Sequence, residues 1–201
     1  MKGSYARSVA IMSAVALFCA LGCASSPPTR FYLLSPVTNS EKSTSTGERC
    51  ISVGLLPVKI PEYLARQGIV TRVTPHEVSI GLLHKWAEPL EQNIARVLTQ
   101  DLSARLCTES VVLFPWKKTT AIDYSLLVEI IRMDGTLGKE AVLEASWSIF
   151  KTADSQRVLF RKSHFEVPTK GPGYDAFVAA HNGALGEFSR EIAEALKTLP
   201  K

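Results

Sequence analysis

Alternating polarity between residues 122 and 167 limits what this chain can fold into more than any other feature of its sequence. In residues 122–130 and 140–150 every second residue is apolar, the repeat of a β-strand with one buried face. Residues 157–167 supply a third strand. Asp134-Gly135 and Gly138 lie between the first two strands and residues 153–155 before the third, and such residues are typical of the turns that join strands. The pattern predicts an antiparallel three-stranded meander.

Two other segments have the apolar spacing of helices. The first helix should begin near Pro89, which suits a first helical turn, and bury one face made of Leu90, Ile94, Val97, Leu98, Leu102 and Leu106. The second should run from about Tyr174 to Leu199 and bury Phe177, Leu185, Phe188, Ile192 and Leu196. Shorter strands are expected at 31–34, 51–60, 68–73, 77–82 and 111–114. The second should be broken at Pro57, the third and fourth should form a hairpin, and the last should be buried. The fold class is therefore α/β, with two principal helices packed on a mixed sheet.

The N-terminus has the features of a cleaved lipoprotein signal. Lys2 and Arg7 precede the uncharged run 9–21, whose length of about 20 Å as a helix is too short for a hydrocarbon core of about 30 Å. Cys23 follows directly after Gly22, where a thiol can be linked to diacylglycerol and the new amine can accept a further acyl chain, such as palmitate. We expect a signal peptide at 1–22, lipidation of Cys23 and a tether at 23–30; the alternative is a signal peptide with an incidental cysteine.

The mature chain is close to neutral. The full sequence carries a formal charge of +4, and two basic residues leave with the signal, so +2 remains. Without a run of like charges, this balance argues against nucleic acid as a partner. Residues 31–201 have a length that suits one domain with a single core.

Two cysteines remain besides Cys23 once the signal is removed. Cys50 and Cys107 form an even pair in an exported chain, which favours one disulfide. Two unpaired buried thiols are the alternative. A metal site has the least support, because neither cysteine has a second cysteine or a histidine at ligand spacing.

The sequence gives no support for catalysis. It contains no nucleophile elbow, zinc-protease motif or phosphate-binding loop, so we expect no catalytic residue, metal or cofactor. His84, His164 and His181 are scattered, and isolated histidines are more often structural than catalytic. Glu129, Arg132 and Asp134 are expected to form a surface ion pair at a strand end, which would add little stability.

Several motifs, in order along the mature chain, resemble those of the PqiC (YmbA-like) auxiliary lipoproteins of ABC-type transport systems. They are Phe31-Tyr32-Leu33-Leu34, Val58-Lys59-Ile60-Pro61-Glu62-Tyr63-Leu64 with Gly68-Ile69-Val70, Trp86-Ala87-Glu88-Pro89-Leu90, Asp134-Gly135, Glu144-Ala145-Ser146-Trp147 and Gly173-Tyr174-Asp175. The resemblance implies a fold like the anticodon-binding/TolB N-terminal type. Cys50 and Cys107 are not part of the family pattern, so the proposed disulfide gains nothing from it.

The resemblance also implies a non-enzymatic role with partners. It implies a lipid-anchored protein on the periplasmic face of the outer membrane. There the protein would dock an MCE-domain protein and associated inner-membrane components during phospholipid transport. The resemblance also implies that such a protein can self-associate into a ring. Tyr63 and Leu64 are candidate docking residues if they are exposed; otherwise they cap the core. A periplasmic lipid-binding carrier, which needs an internal apolar cavity, and a lipid-modifying hydrolase, which needs a cleft with titratable residues, are the alternatives.

Overall fold

The computed structural model describes residues 27–37, 51–106, 111–117 and 119–200. The three cysteines expected to be modified, Cys23, Cys50 and Cys107, lie outside these residues, as does the signal peptide. The described ranges contain, in chain order, β1 (Arg30–Tyr32), β2 (Val53–Leu55), β3 (Gly68–Thr74), β4 (Glu77–Trp86), α1 (Leu90–Arg105), β5 (Val111–Leu113), β6 (Tyr124–Thr136), β7 (Glu140–Lys151), β8 (Arg157–Pro168) and α2 (Tyr174–Lys197). None of the helices in these ranges combines the length and the apolar character that crossing a membrane requires.

A five-stranded sheet in the order β5-β2-β6-β7-β8 forms the centre of the domain. Its antiparallel β6, β7 and β8 are the predicted meander, and β2 pairs in parallel with both β5 and β6. Helix α2 packs on β7 and β8, and α1 packs beside it. The predicted α/β fold with two principal helices is confirmed.

The space between the five-stranded sheet and the helices is filled by large apolar side chains. Trp147 from β7 meets Phe188 from α2 edge to face, with ring centroids 6.4 Å apart. The indole N–H of Trp147 donates to the hydroxyl of Ser163 at 2.9 Å, which satisfies its polar atom inside the core. All five residues predicted for the buried face of the last helix are buried: Phe177, Leu185, Phe188, Ile192 and Leu196.

A second, three-stranded sheet in the order β1-β4-β3 contains β1, the first strand of the domain. The short β1 pairs in parallel with the end of β4, and the next residue but one, Leu34, is fully buried. The Tyr32 hydroxyl lies 2.8 Å from Nδ1 of His84, whose ring stacks on Tyr174 at the start of α2 with centroids 3.9 Å apart. These contacts join the first strand of the domain to its last helix.

Replacing Tyr32 with phenylalanine should remove the hydrogen bond to His84 and keep the ring. We expect a loss of about 1 kcal/mol in the free energy of unfolding, the usual net value of such a bond. Tyr174→Phe is the matched control, since it preserves the stack on His84. Urea unfolding followed by circular dichroism measures both variants, and equal losses would contradict a specific role for the Tyr32 hydroxyl.

Two predicted segments have different bounds in the structure. The strand expected at 51–60 and broken at Pro57 is a strand only at Val53–Leu55, followed by a single bridge at Lys59. Of the residues expected between β6 and β7, Gly138 does lie in the turn, which residues 137–139 form, whereas Asp134-Gly135 belongs to β6. Gly135 is still required there, because a β-carbon would lie 2.2 Å from the carbonyl oxygen of Glu140.

Candidate docking site

The predicted docking residues Tyr63 and Leu64 lie in a turn that follows Pro61. The Leu64 side chain is 2% exposed and belongs to the core. Tyr63 is partly buried, and its hydroxyl donates to Oδ2 of Asp134 at 3.0 Å. The docking hypothesis required exposed side chains, so the position of Leu64 agrees with the alternative that this pair caps the core.

Asp134 is the centre of a buried polar cluster. Arg72 on β3 donates to both of its carboxylate oxygens, from Nε to Oδ1 at 3.1 Å and from Nη2 to Oδ2 at 2.6 Å. Arg132 adds a bond from Nε to Oδ1 at 2.7 Å, and Tyr63 completes the set. Two guanidinium groups and a phenol therefore surround one carboxylate, and the two-pronged Arg72 contact fixes the three-stranded sheet against β6.

The cluster sets the protonation of its members. Burial acts to raise the pKa of Asp134, but the hydrogen bonds and charges of Arg72 and Arg132 outweigh it, so this pKa lies below its usual value. Burial, followed by the nearby charge of Asp134, raises the pKa of Tyr63 to about 12. The carboxylate is therefore charged and the phenol neutral at any ordinary pH.

Of the surface ion pair expected among Glu129, Arg132 and Asp134, the contact between Arg132 and Asp134 is present, but the expectation is wrong in two respects. Asp134 is fully buried, and its main partner Arg72 comes from a different sheet. Glu129 is exposed and takes no part in the cluster. The bulge between Ile130 and Arg132 in β6 changes which residues of this strand share a face.

An apolar groove, which we call the Phe114 groove, lies where β2 and β5 end beside the first turn of α1. It has a volume of about 330 Å³. Glu91 and Gln92 line one side, and the rest of the lining is apolar: Leu55, Leu56, Pro57, Val58, Ala95, Leu113 and Phe114. Phe114 is 53% exposed, and its backbone N–H donates to the carbonyl of Leu55 at 3.0 Å. The side chain is therefore held on a fixed backbone while it remains open to solvent.

Trp116 supports Phe114 from the side. The two rings meet edge to face at a centroid distance of 5.4 Å. The Trp116 ring lies against Gly54 in β2, where a β-carbon would approach it to 2.7 Å. Aromatic side chains presented on a rigid support are typical anchors of protein interfaces. The apolar run 111–114 predicts a buried strand, whereas β5 is an edge strand that ends at the exposed Leu113 and is followed by the exposed Phe114. The site could therefore not be found from that run.

The histidines form no reactive centre. His84 belongs to the aromatic contact with Tyr32 and Tyr174, His164 lies 3.1 Å from Glu144 on exposed β8, and His181 is buried in α2 beside Phe177. Within the described residues, no group of three or more histidine, cysteine or acidic side chains has the geometry to hold a metal ion.

Comparison with known proteins gives consistent matches in sequence and fold. The family described as the ABC-type transport auxiliary lipoprotein component matches residues 32–193. The intermembrane transport lipoprotein PqiC of Escherichia coli (strain K12) is 26% identical over 181 residues, which cover 89% of this chain and 92% of that protein, and the Shigella flexneri protein of the same name matches equally.

Two solved structures share the fold. A crystal structure of an uncharacterized protein superposes with a TM-score of 0.69 at 20% identity, covering 85% of this chain and 99% of the other. Protein XCC0632 from Xanthomonas campestris superposes with a TM-score of 0.61 at 17% identity, covering 83% and 90%.

Proposed function

Because the chain belongs to the ABC-type transport auxiliary lipoprotein component family, we propose that it is a non-catalytic accessory subunit of an intermembrane phospholipid transport system. In this proposal Cys23 carries the lipid anchor, and the domain faces the periplasm from the outer membrane. Its task is to dock an MCE-domain protein whose associated components lie in the inner membrane. The family match over most of the mature chain is the observation that carries the proposal.

The Phe114 groove is the surface we assign to that partner. It combines an exposed aromatic anchor, a second ring that supports it and an apolar depression of about 330 Å³. Among the described residues, strand β5 at its margin pairs with β2 on one side only, and an edge of this kind can accept a partner strand. Tyr63 and Leu64 are not included, since Leu64 is buried.

The two alternative functions have less support from the packing. A lipid-binding carrier needs a large apolar cavity inside the domain. The interior between the sheet and the helices is instead occupied by Trp147, Phe177 and Phe188, all fully buried. A hydrolase needs convergent titratable groups in a cleft, whereas the buried carboxylate Asp134 is engaged by two arginines and a tyrosine.

Replacing Phe114 with serine should weaken partner binding at least tenfold, because truncating an interface anchor costs about 2 kcal/mol or more and each 1.4 kcal/mol is a factor of ten. The measurement is recovery of the MCE-domain protein with the affinity-tagged, lipidated protein from solubilised membranes. Phe160→Ser is the matched control, since Phe160 is similarly exposed on β8, the opposite edge of the sheet.

Two results would count against the proposal in different ways. Unchanged recovery with Phe114→Ser would reject the Phe114 groove as the docking site. Absence of any MCE-domain protein from the wild-type sample would reject the partner itself.

Self-association into a ring is a separate part of the proposal. Two different surfaces of one chain that contact each other head to tail form a ring when the rotation between successive copies closes. Light scattering on the detergent-solubilised lipoprotein tests it directly, since a monomer mass at all concentrations would exclude the ring.

A further inference from the structure

We propose that the domain rests on the membrane surface through an apolar patch near β1, where the tether joins the domain. We call it the tether-side patch. It consists of Phe31, Ile80, Leu82 and Leu83, beside the basic residues Arg30 and Lys85. Leu82 is 82% exposed and Phe31 62%, the two most exposed large apolar side chains of the described residues. The inference rests on the proposed lipidation of Cys23.

The tether is too short to hold this patch far from a bilayer. Cys23 and Arg30 are seven residues apart, and a fully extended chain of that length spans no more than about 25 Å. With acyl chains on Cys23 inserted in the leaflet, Arg30 remains within that distance of the headgroups. The surface around the first strand is therefore the part of the domain that meets the membrane.

The strand register places the apolar residues on the tether side. Strand β1 pairs in parallel with β4, Arg30 with His84 and Phe31 with Lys85. Because the strands run in the same direction, Leu82 and Leu83, which precede His84, lie towards the side from which the tether arrives.

Ile80 shares a face with Phe31. Its side chain lies against the α-carbon of Gly68, where a β-carbon would come within 2.5 Å of Ile80 Cγ2. Gly68 pairs with Lys85, which in turn pairs with Phe31, so these positions follow one another across the sheet. Phe31 and Ile80 therefore point to the same face of the three-stranded sheet.

A bulge in β4 brings the two leucines to the surface. Gly68 pairs with Lys85 and Val70 with Ile80, so the four residues 81–84 of β4 lie opposite the single residue Ile69 of β3. Bulges of this kind redirect side chains, and here the displaced segment contains Leu82 and Leu83. Large apolar side chains exposed this close to one another in the chain are typical of surfaces that are covered in the working protein.

The tether and the charges favour a lipid surface over a protein as the covering partner. The residues next to the patch, Arg30 and Lys85, are basic, and basic groups beside apolar side chains suit the anionic headgroup region. A membrane is also the one surface that the anchor brings within reach of the patch at all times.

Tryptophan placed in the patch tests whether it enters the bilayer. The mature lipidated protein carrying Leu82→Trp is reconstituted into vesicles of phosphatidylethanolamine and phosphatidylglycerol that contain shallowly brominated phosphatidylcholine. Phe160→Trp is the matched control on the edge strand of the other sheet, and wild-type emission is subtracted from both. Phe31→Trp, an aromatic exchange, is a second position should Leu82→Trp fail to fold as judged by circular dichroism.

We expect the bromine to quench at least half of the added emission at Leu82 and less than a tenth of that at Phe160. Equal quenching at the two positions, or none at Leu82 or Phe31 in a protein that floats with the vesicles, would overturn the tether-side patch and leave the anchor intact. Mass spectrometry of the N-terminal peptide separates the two hypotheses, since absence of an acyl chain on Cys23 would reject both.

Discussion

Replacing Asp134 with alanine is expected to lower the free energy of unfolding by about 3 kcal/mol, one of the two largest effects that a single position in this domain should show. The carboxylate is fully buried and accepts hydrogen bonds from Arg72, Arg132 and Tyr63. Removing one partner of a buried ion pair typically costs about 3–5 kcal/mol, because the opposite charge is left without compensation. The two arginines are partly exposed, which favours the lower end of that range.

The measurement is chemical unfolding at neutral pH, with Glu129→Ala as the matched control. Glu129 lies on the same strand but is exposed, so its removal should change stability by less than about 0.5 kcal/mol. Asp134→Asn adds a second test: it keeps the shape of the side chain but loses the charge, so it should remain clearly destabilised. A loss in Asp134→Ala no larger than that of the control would show that the cluster does not hold the two sheets together.

Asp134 also shows where reasoning from this sequence stops. Asp-Gly between two alternating segments is a strong local signal for a hairpin turn, and it predicted a turn at Asp134-Gly135. The partner that decides the role of Asp134 is Arg72, which lies 62 residues earlier on a strand of the other sheet. A pattern read over a few neighbouring residues contains no information about such a contact.

The elements that the sequence predicted well are those whose burial depends on their own periodicity. The meander and the last helix each present one long apolar face, so strand or helix type follows from the spacing alone. The candidate docking site was missed for the opposite reason. Residues 111–114 are apolar throughout, and only the order of strands in the sheet reveals that β5 is an edge and that Phe114 is exposed.

His181 was predictable from the sequence in its burial but not in its contacts. It occupies the same helical stripe as Phe177 and Leu185, four residues from each, so its burial could have been read from the predicted face of the last helix. Its surroundings could not. The ring meets Phe177 edge to face with centroids 4.6 Å apart, and its Nδ1 has no hydrogen-bond partner in the part of the chain that the structure describes. A fully buried histidine of this kind is neutral in the folded protein.

This burial should make the domain less stable in acid. Burial lowers the pKa of His181 to about 4, against the weaker opposing charge of Asp134, whereas the unfolded chain has its ordinary value near 6.5. Above pH 6.5 both states are neutral at this position and its contribution is constant. As pH falls from 6.5 to 4, only the unfolded chain takes up the proton, so stability falls by about 3 kcal/mol over that window, at 1.36 kcal/mol per pKa unit.

Comparing wild type with His181→Leu isolates this effect from the other titrating groups. Both proteins keep Asp134 and the surface carboxylates. The pH dependence of the difference between their free energies of unfolding therefore comes from His181, including its electrostatic interaction with Asp134. The two free energies of unfolding will differ at pH 7.5 because the substitution changes the packing. We expect this difference to change by about 3 kcal/mol in favour of His181→Leu between pH 7.5 and pH 4. Phe160→Leu, at an exposed position without a titrating group, should run parallel to wild type within about 0.5 kcal/mol. A wild-type minus His181→Leu difference that stays constant across this pH range would mean that the His181 ring accepts a proton in the folded protein, and hence that its pocket is open to water.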